Sequence, residues 1–173
     1  HVYDADKLQG NIHVRLSKKG EEIDALDDKH YNLTDGMTAI CDDSGVLGLG
    51  GIVGGEPSSV SETTENVYLE CALFDPVAIA STGRALQVDS DARYRFERGV
   101  DPAFVEAGAE LATKMILELC GGEASNTCIA GAAKAAEKTV KYDPALCEKL
   151  GGLALPEARQ KEILETLGFT VAK

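Results

Sequence analysis

Between residues 11 and 74 the apolar positions come in short runs: NIHVRLS, HYNL, MTAICDD and NVYLECALF. Turn residues separate them, among them Lys19-Gly20, Asp35-Gly36 and Ser44-Gly45. This pattern predicts β structure over the first 74 residues. The last run is almost continuously apolar, as expected of a strand covered on both faces. The pattern then becomes helical. Asp-Pro occurs at 75–76, 101–102 and 143–144, each time after an apolar or aromatic residue. Asp caps free N–H groups, and Pro suits a first helical position because its missing N–H costs nothing there. In the segment 101–120, Phe104, Gly108, Leu111, Met115 and Leu119 recur at helical spacing, and Gly121-Gly122 ends the helix.

The small, polar GAAKAAE at 131–137 reads as a linker. Beyond it, residues 138–173 read as strand, short helix, loop, second helix and strand, too short a stretch for an independent core. The expected architecture is α+β. A β-sandwich-like core of mostly antiparallel strands with flanking helices occupies 1–130, and a truncated, helical front part of a second small domain occupies 138–173.

Composition narrows the functional classes. The chain has 173 residues, 44% of them hydrophobic, but only 5% aromatic and no Trp, so the expected core is aliphatic and alanine-rich. With 29 acidic against 17 basic residues the net charge is −12. That argues against an autonomous nucleic-acid binder, which normally needs a basic face to neutralise phosphates. It leaves open the reading of one nucleotide end while another domain holds the rest. Cys41, Cys71, Cys120, Cys128 and Cys147 form no CxxC pair, which predicts reduced, mostly buried thiols and a cytoplasmic protein. No run is long enough for a membrane span, and no metal-ligand spacing is present. The chain opens without Met on HVYDADKL and reads as a piece of something larger.

Three features are candidates for chemistry. The glycine-rich LGLGGIVGGEPSS at 47–59 lacks the Lys of a P-loop, and Val53 stands where a dinucleotide fingerprint needs Gly. What remains is backbone able to approach a ligand closely, or simply a tight turn. Glu70 lies inside an apolar run, where a carboxylate is costly unless paired or placed at a site. Strict alternation puts Tyr68, Glu70 and Ala72 on one face, and the plain alternative is a solvent-facing side chain. Arg93, Arg95 and Arg98 crowd together beside Asp91, Glu97 and Asp101, most simply as an ion-pair network.

Four segments together go further. HVYDADKL at 1–8, GGIVGGEPS at 50–58, LECALFDP at 69–76 and SDARYRFERGVDP at 90–102 resemble, in order and spacing, the β subunit of bacterial phenylalanyl-tRNA synthetase. The match is to its third-and-fourth domain unit, the tRNA-editing module, over residues 1 to about 130. The tail, with ILETLGFTV, resembles the start of the fifth domain. In that family the module hydrolyses tyrosine wrongly attached to tRNA(Phe), so the resemblance implies an aminoacyl-tRNA deacylase within phenylalanine–tRNA ligase. It puts Glu70 in the pocket that reads the tyrosine hydroxyl, with Gly54, Ser90 and Ala92 lining it and His1 orienting water or the terminal ribose. Ser90 stands where the family often has Thr. Arg93, Arg95 and Arg98 are then structural support for the pocket floor.

The partners it implies are the 3′ end of aminoacylated tRNA(Phe) and the synthetase α subunit, with neither DNA nor membrane. ATP and magnesium belong to the parent enzyme outside this segment, so no cofactor and no metal site is expected here. The resemblance also places part of the pocket wall upstream of His1. A site built to bond the hydroxyl rejects phenylalanine, because the carboxylate would be left buried and unpaired, at about 1–3 kcal/mol. The competing class is a non-catalytic structural or RNA-interaction module of a tRNA-handling enzyme.

Overall fold

The computed structural model describes residues 1–131 and 138–172. The chain forms two compact units, His1–Ala135 and Ala136–Lys173. Of the expected linker, residues 132–137 lie outside the described residues.

The first unit is α+β, with three small antiparallel sheets. β1 (Val2–Asp4) pairs with β8 (Val67–Leu69), and β3 (Glu22–Asp24) pairs with β4 (His30–Asn32). The third sheet has the order β2-β5-β6-β7, built from His13–Leu16, Thr38–Asp42, Gly45–Leu49 and Val53–Gly54. The isolated bridge Ala25↔Gly55 links the end of β3 to the end of β7, and Tyr3↔Ser59 ties β1 to the segment after β7. Tyr3, Ile23, Tyr31, Ile40, Leu47 and Leu49 therefore share one core with Phe74, Ile79 and Val88.

Three expectations are corrected here. The core is not alanine-rich: Ala25 and Ala39 are its buried alanines, while Tyr3, Tyr31 and Phe74 fill the junctions between elements. The run NVYLECALF is not a strand covered on both faces. Its regular part has three residues and a single neighbour, and Tyr68 is 41% exposed. The thiols are not mostly buried either: only Cys41 is, while Cys71, Cys120 and Cys128 are exposed on segments that no further layer covers.

Each Asp-Pro pair lies at a helix start, but Asp143-Pro144 departs from the expected chemistry: Pro144 itself is the N-cap of the helix Ala145–Gly151 and supplies no side-chain cap. Asp75 caps α1 (Pro76–Leu86), its carboxylate accepting from Ala78 N–H at 2.7 Å. Loss of such a cap costs about 1 kcal/mol. Asp101 caps a 3-10 turn, Pro102–Phe104, that leads into α3 (Val105–Cys120). Between them lies α2 (Asp91–Phe96), which the sequence pattern did not announce. The apolar stripe of α3 forms on schedule, yet no residue of that helix is buried, and Leu119 is 78% exposed.

The second unit holds α4 (Ala145–Gly151) and α5 (Glu157–Thr166). Gln160 is its buried hub, accepting from the Tyr142 hydroxyl at 2.5 Å and donating to the carbonyls of Pro144 and Leu155. The strands expected at its two ends do not form among the described residues, because the unit presents no sheet edge for them to pair with. Among the described residues, no helix is long and apolar enough to cross a membrane.

Candidate functional site

The site grows from the pairing of β1 with β8. Tyr3 lies opposite Tyr68 and Val2 opposite Leu69. One step further His1 lies opposite Glu70, and the two exchange reciprocal backbone hydrogen bonds of 2.8 Å. Alternation then puts His1 and Tyr3 of one strand on the same face as Tyr68 and Glu70 of the other. The ring of His1 meets that of Tyr3 edge-on, with centroids 4.5 Å apart, and Tyr68 lies 6.0 Å from Tyr3.

Tyr3 is 1% exposed, and its hydroxyl donates to Glu70 Oε2 at 2.8 Å. Burial raises its phenol far above the ordinary range, and the charge and hydrogen bond of Glu70 raise it further, so Tyr3 stays a neutral donor. Burial, then Glu70, raises the Tyr68 phenol as well. Glu70 itself is half-buried, and its Oε1 has no hydrogen-bond partner among the described residues. The carboxylate is thus anchored through one oxygen, while the other is not sealed in the core.

The glycine run supplies the opposing surface. β6 and β7 form a hairpin in which Gly48 faces Gly54, and Gly51 takes the left-handed backbone (φ +67°) in the turn between them. A Cβ on Gly54 would fall 2.5 Å from Nε2 of His1. Gly54 is thus the gap into which the imidazole fits. A Cβ on Gly50 would lie 2.6 Å from Phe74, whose ring pairs with Phe96 at 5.4 Å, so α2 and the 70–75 segment clamp the turn. The N–H groups of Gly50, Ile52, Gly55 and Glu56 all donate to backbone carbonyls. They are therefore spent on the fold rather than free to stabilise an oxyanion.

Ser90 connects α2 to this hairpin. Its hydroxyl donates to the Ile52 carbonyl at 2.6 Å and accepts from Arg93 N–H at 3.1 Å, capping α2. Ala92 stands exposed in the first turn of that helix and enters none of these contacts. The arginines divide. Arg93 lies over Gly83 of α1, donates to the Val88 carbonyl at 2.6 Å and pairs with Glu97 at 3.0 Å. Arg98 pairs with Glu97 and stacks on Tyr94, 3.7 Å from the ring centroid. Arg95 is exposed and forms no ion pair among the described residues. The expected network therefore runs through Glu97 alone, because Asp101 is used as a helix cap and Asp91 begins α2.

The structure thus gathers His1, Glu70 and Gly54 in one cluster, sets Ser90 behind the same hairpin, and leaves Ala92 apart from those contacts. Tyr3 is the member that sequence reasoning passed over. Its signal was present: two residues after His1, it shares that residue's face. Among the described residues no three His, Cys, Asp or Glu side chains gather as metal ligands. Two surface hollows lie elsewhere, one along α3 beside Lys114 and Thr127, the other within the second unit around Gln160.

The B3/4 domain family matches residues 1–121, more than half of the chain. The chain belongs to the B3/4 domain family. Over nearly its whole length it is also similar to phenylalanine–tRNA ligase β subunits. It is 54% identical to that of Rhodospirillum rubrum over 172 residues, 99% of this chain and 22% of the relative. It is 50% identical to that of Cereibacter sphaeroides over 171 residues, 99% of this chain and 21% of the relative. The β subunit of Paramagnetospirillum magneticum is 50% identical over 173 residues, covering 100% and 22%. The chain thus spans about a fifth of the length of the relatives it matches. The B3/4 domain holds every residue of the Glu70 cluster, and the resemblance read from the four motifs has its counterpart in these matches.

Proposed function

We propose that this B3/4 domain is the proofreading module of a phenylalanine–tRNA ligase β subunit, hydrolysing tyrosine wrongly esterified to tRNA(Phe). One observation carries the reading. Glu70 is a half-buried carboxylate held through one oxygen by the Tyr3 hydroxyl, its second oxygen without a partner among the described residues, on the same face of the β1–β8 pair as His1, whose ring fills the gap at Gly54. A synthetic pocket for phenylalanine rejects an analogue that merely adds a hydroxyl only about 100-fold. A second site that demands the hydroxyl inverts the discrimination. The tyrosine phenol donates to Glu70, whereas phenylalanine seated over the same carboxylate would cover it without offering that partner.

Hydrolysis adds water to the ester carbonyl and breaks the bond to the ribose oxygen, which leaves protonated; free tyrosine and tRNA(Phe) result. His1 orients the water or the terminal ribose, and Ser90 and the Arg93–Glu97 pair hold the hairpin and helix in place. Ala92 forms part of the pocket rim in this reading. The partners are the 3′ end of the charged tRNA and the α subunit, in the cytoplasm, with ATP and magnesium bound elsewhere in the assembly. The chain's net charge of −12 fits a module that reads one nucleotide end while other domains hold the tRNA.

A second reading, a non-catalytic structural module, is favoured by the Tyr3 hydroxyl already partnering Glu70. It accounts for Gly54 as packing space for His1 but gives no role to Oε1, which has no partner among the described residues. The test uses the complete β subunit with its α partner. With Glu70→Ala, phenylalanine charging is expected to stay intact while Tyr-tRNA(Phe) accumulates. Clearance at the wild-type rate would remove Glu70 from the function.

A further inference from the structure

We propose that Tyr3 is a positioning residue for specificity: by holding Glu70 through Oε2 it presents Oε1 as the acceptor for the incoming phenol. This rests on the editing reading and adds a residue to it. The Tyr3 side chain is fixed. It is almost fully buried, is part of the central core, and is bracketed by His1 and Tyr68. Its only freedom is rotation of the O–H, and that bond points at Glu70 Oε2, 2.8 Å away.

Glu70, in contrast, sits one residue past the end of β8, on a side chain with three rotatable bonds and no other partner among the described residues. Without the Tyr3 hydroxyl no hydrogen bond from the described residues would fix its rotamer. With it, one carboxylate oxygen is tied to the core and the other is left for a donor. The tie is permanent at working pH, because a buried phenol beside a carboxylate remains protonated. Gly48 completes the arrangement: a Cβ there would lie 3.5 Å from the Tyr3 hydroxyl, so the hairpin packs against the anchor directly.

An anchored acceptor lowers the entropy cost of binding without taking part in bond breaking. Removing the anchor therefore weakens substrate and transition state alike and appears in KM rather than kcat. In the complete α–β enzyme, Tyr3→Phe is expected to raise KM for Tyr-tRNA(Phe) deacylation about tenfold, the equivalent of one lost hydrogen bond to a charged group. The expected kcat stays within about twofold, and residual Phe-tRNA(Phe) hydrolysis is unchanged.

A purely structural Tyr3 would instead lower hydrolysis of both esters together, and that result overturns the proposal. So does an unchanged KM alongside a Glu70→Gln variant that fails to clear Tyr-tRNA; in that case the editing reading survives and only this inference falls. Faster clearance by Tyr3→Phe would show that the phenol competes with the substrate, and also overturns it. Should Tyr3→Phe melt below the assay temperature, 4-fluorophenylalanine at position 3 keeps the ring and fills the space of the hydroxyl without a donor. A KM raised about tenfold is then expected, and a KM equal to wild type contradicts the proposal.

Discussion

The imidazole of His1 occupies the space that a side chain on Gly54 would fill, Nε2 lying 2.5 Å from the position of the missing Cβ. A residue at one end of the β1–β8 ladder is thereby keyed into the glycine hairpin of another sheet. The fit needs the smallest residue, which explains a glycine at a position whose backbone is ordinary strand.

Gly54→Ala therefore displaces the His1 ring without straining the backbone, and Gly54→Trp fills the space outright. The expected outcome is graded: clearance of Tyr-tRNA(Phe) by the complete enzyme falls severalfold with Ala and is abolished with Trp. Phenylalanine charging is unchanged in both. Wild-type deacylation by Gly54→Trp would remove this gap from the site.

Ser90 is predicted to matter for stability before it matters for chemistry. Ser90→Ala deletes both the α2 cap and the bond to the Ile52 carbonyl. A loss of about 1–2 kcal/mol is expected in urea denaturation of the chain. Ser90→Thr keeps the hydroxyl and is expected to recover most of it.

The packing of α1 on α2 depends on an absent side chain too. Gly83 is buried beneath Arg93, whose Nε would overlap a Cβ there. Gly83→Ala is expected to push Arg93 off the Val88 carbonyl, destabilising the chain despite the better helix propensity of alanine. A raised unfolding midpoint in urea would contradict this.

How far the sequence could be read follows from the kind of signal each part carries. Local chemistry was legible: the Asp-Pro caps at 75–76 and 101–102 and the Gly-Gly stop are decided within a turn of the chain. The alternation that put Tyr68 with Glu70 also held, because it depends only on the pleat. Burial was not legible. NVYLECALF and the stripe of α3 look like core by composition, and their exposure depends on which layers cover them, something no local pattern encodes. The helix α2 was missed because its six residues carry charges and aromatics rather than an apolar period. Tyr3 was missed for a related reason: its role appears only when β1 is laid beside β8.

One electrostatic prediction concerns the fold away from the site. Arg15 grips Glu21 with two bonds, of 2.6 and 3.0 Å, and that pairing, with the Lys18 N–H, holds the carboxyl down at about 2. The pKa is lower in the folded state. The pair's contribution is therefore complete above the ordinary glutamate value, and it is lost as pH falls toward 2. Glu21→Gln is expected to cost about 1 kcal/mol at pH 7 in urea denaturation, with the difference from wild type vanishing near pH 2. A difference that persists undiminished at pH 2 would contradict the assignment.

The central claim is that Glu70 reads a phenol. The direct measurement is a crystal structure of the complete α–β enzyme bound to a non-hydrolysable 3′-tyrosylamido-adenosine. The account predicts the ligand's phenol oxygen at hydrogen-bonding distance from Glu70 Oε1, with Tyr3 still bound to Oε2 and His1 beside the amide. A ligand whose phenol lies elsewhere, leaving Glu70 paired with Tyr3 alone, would contradict it.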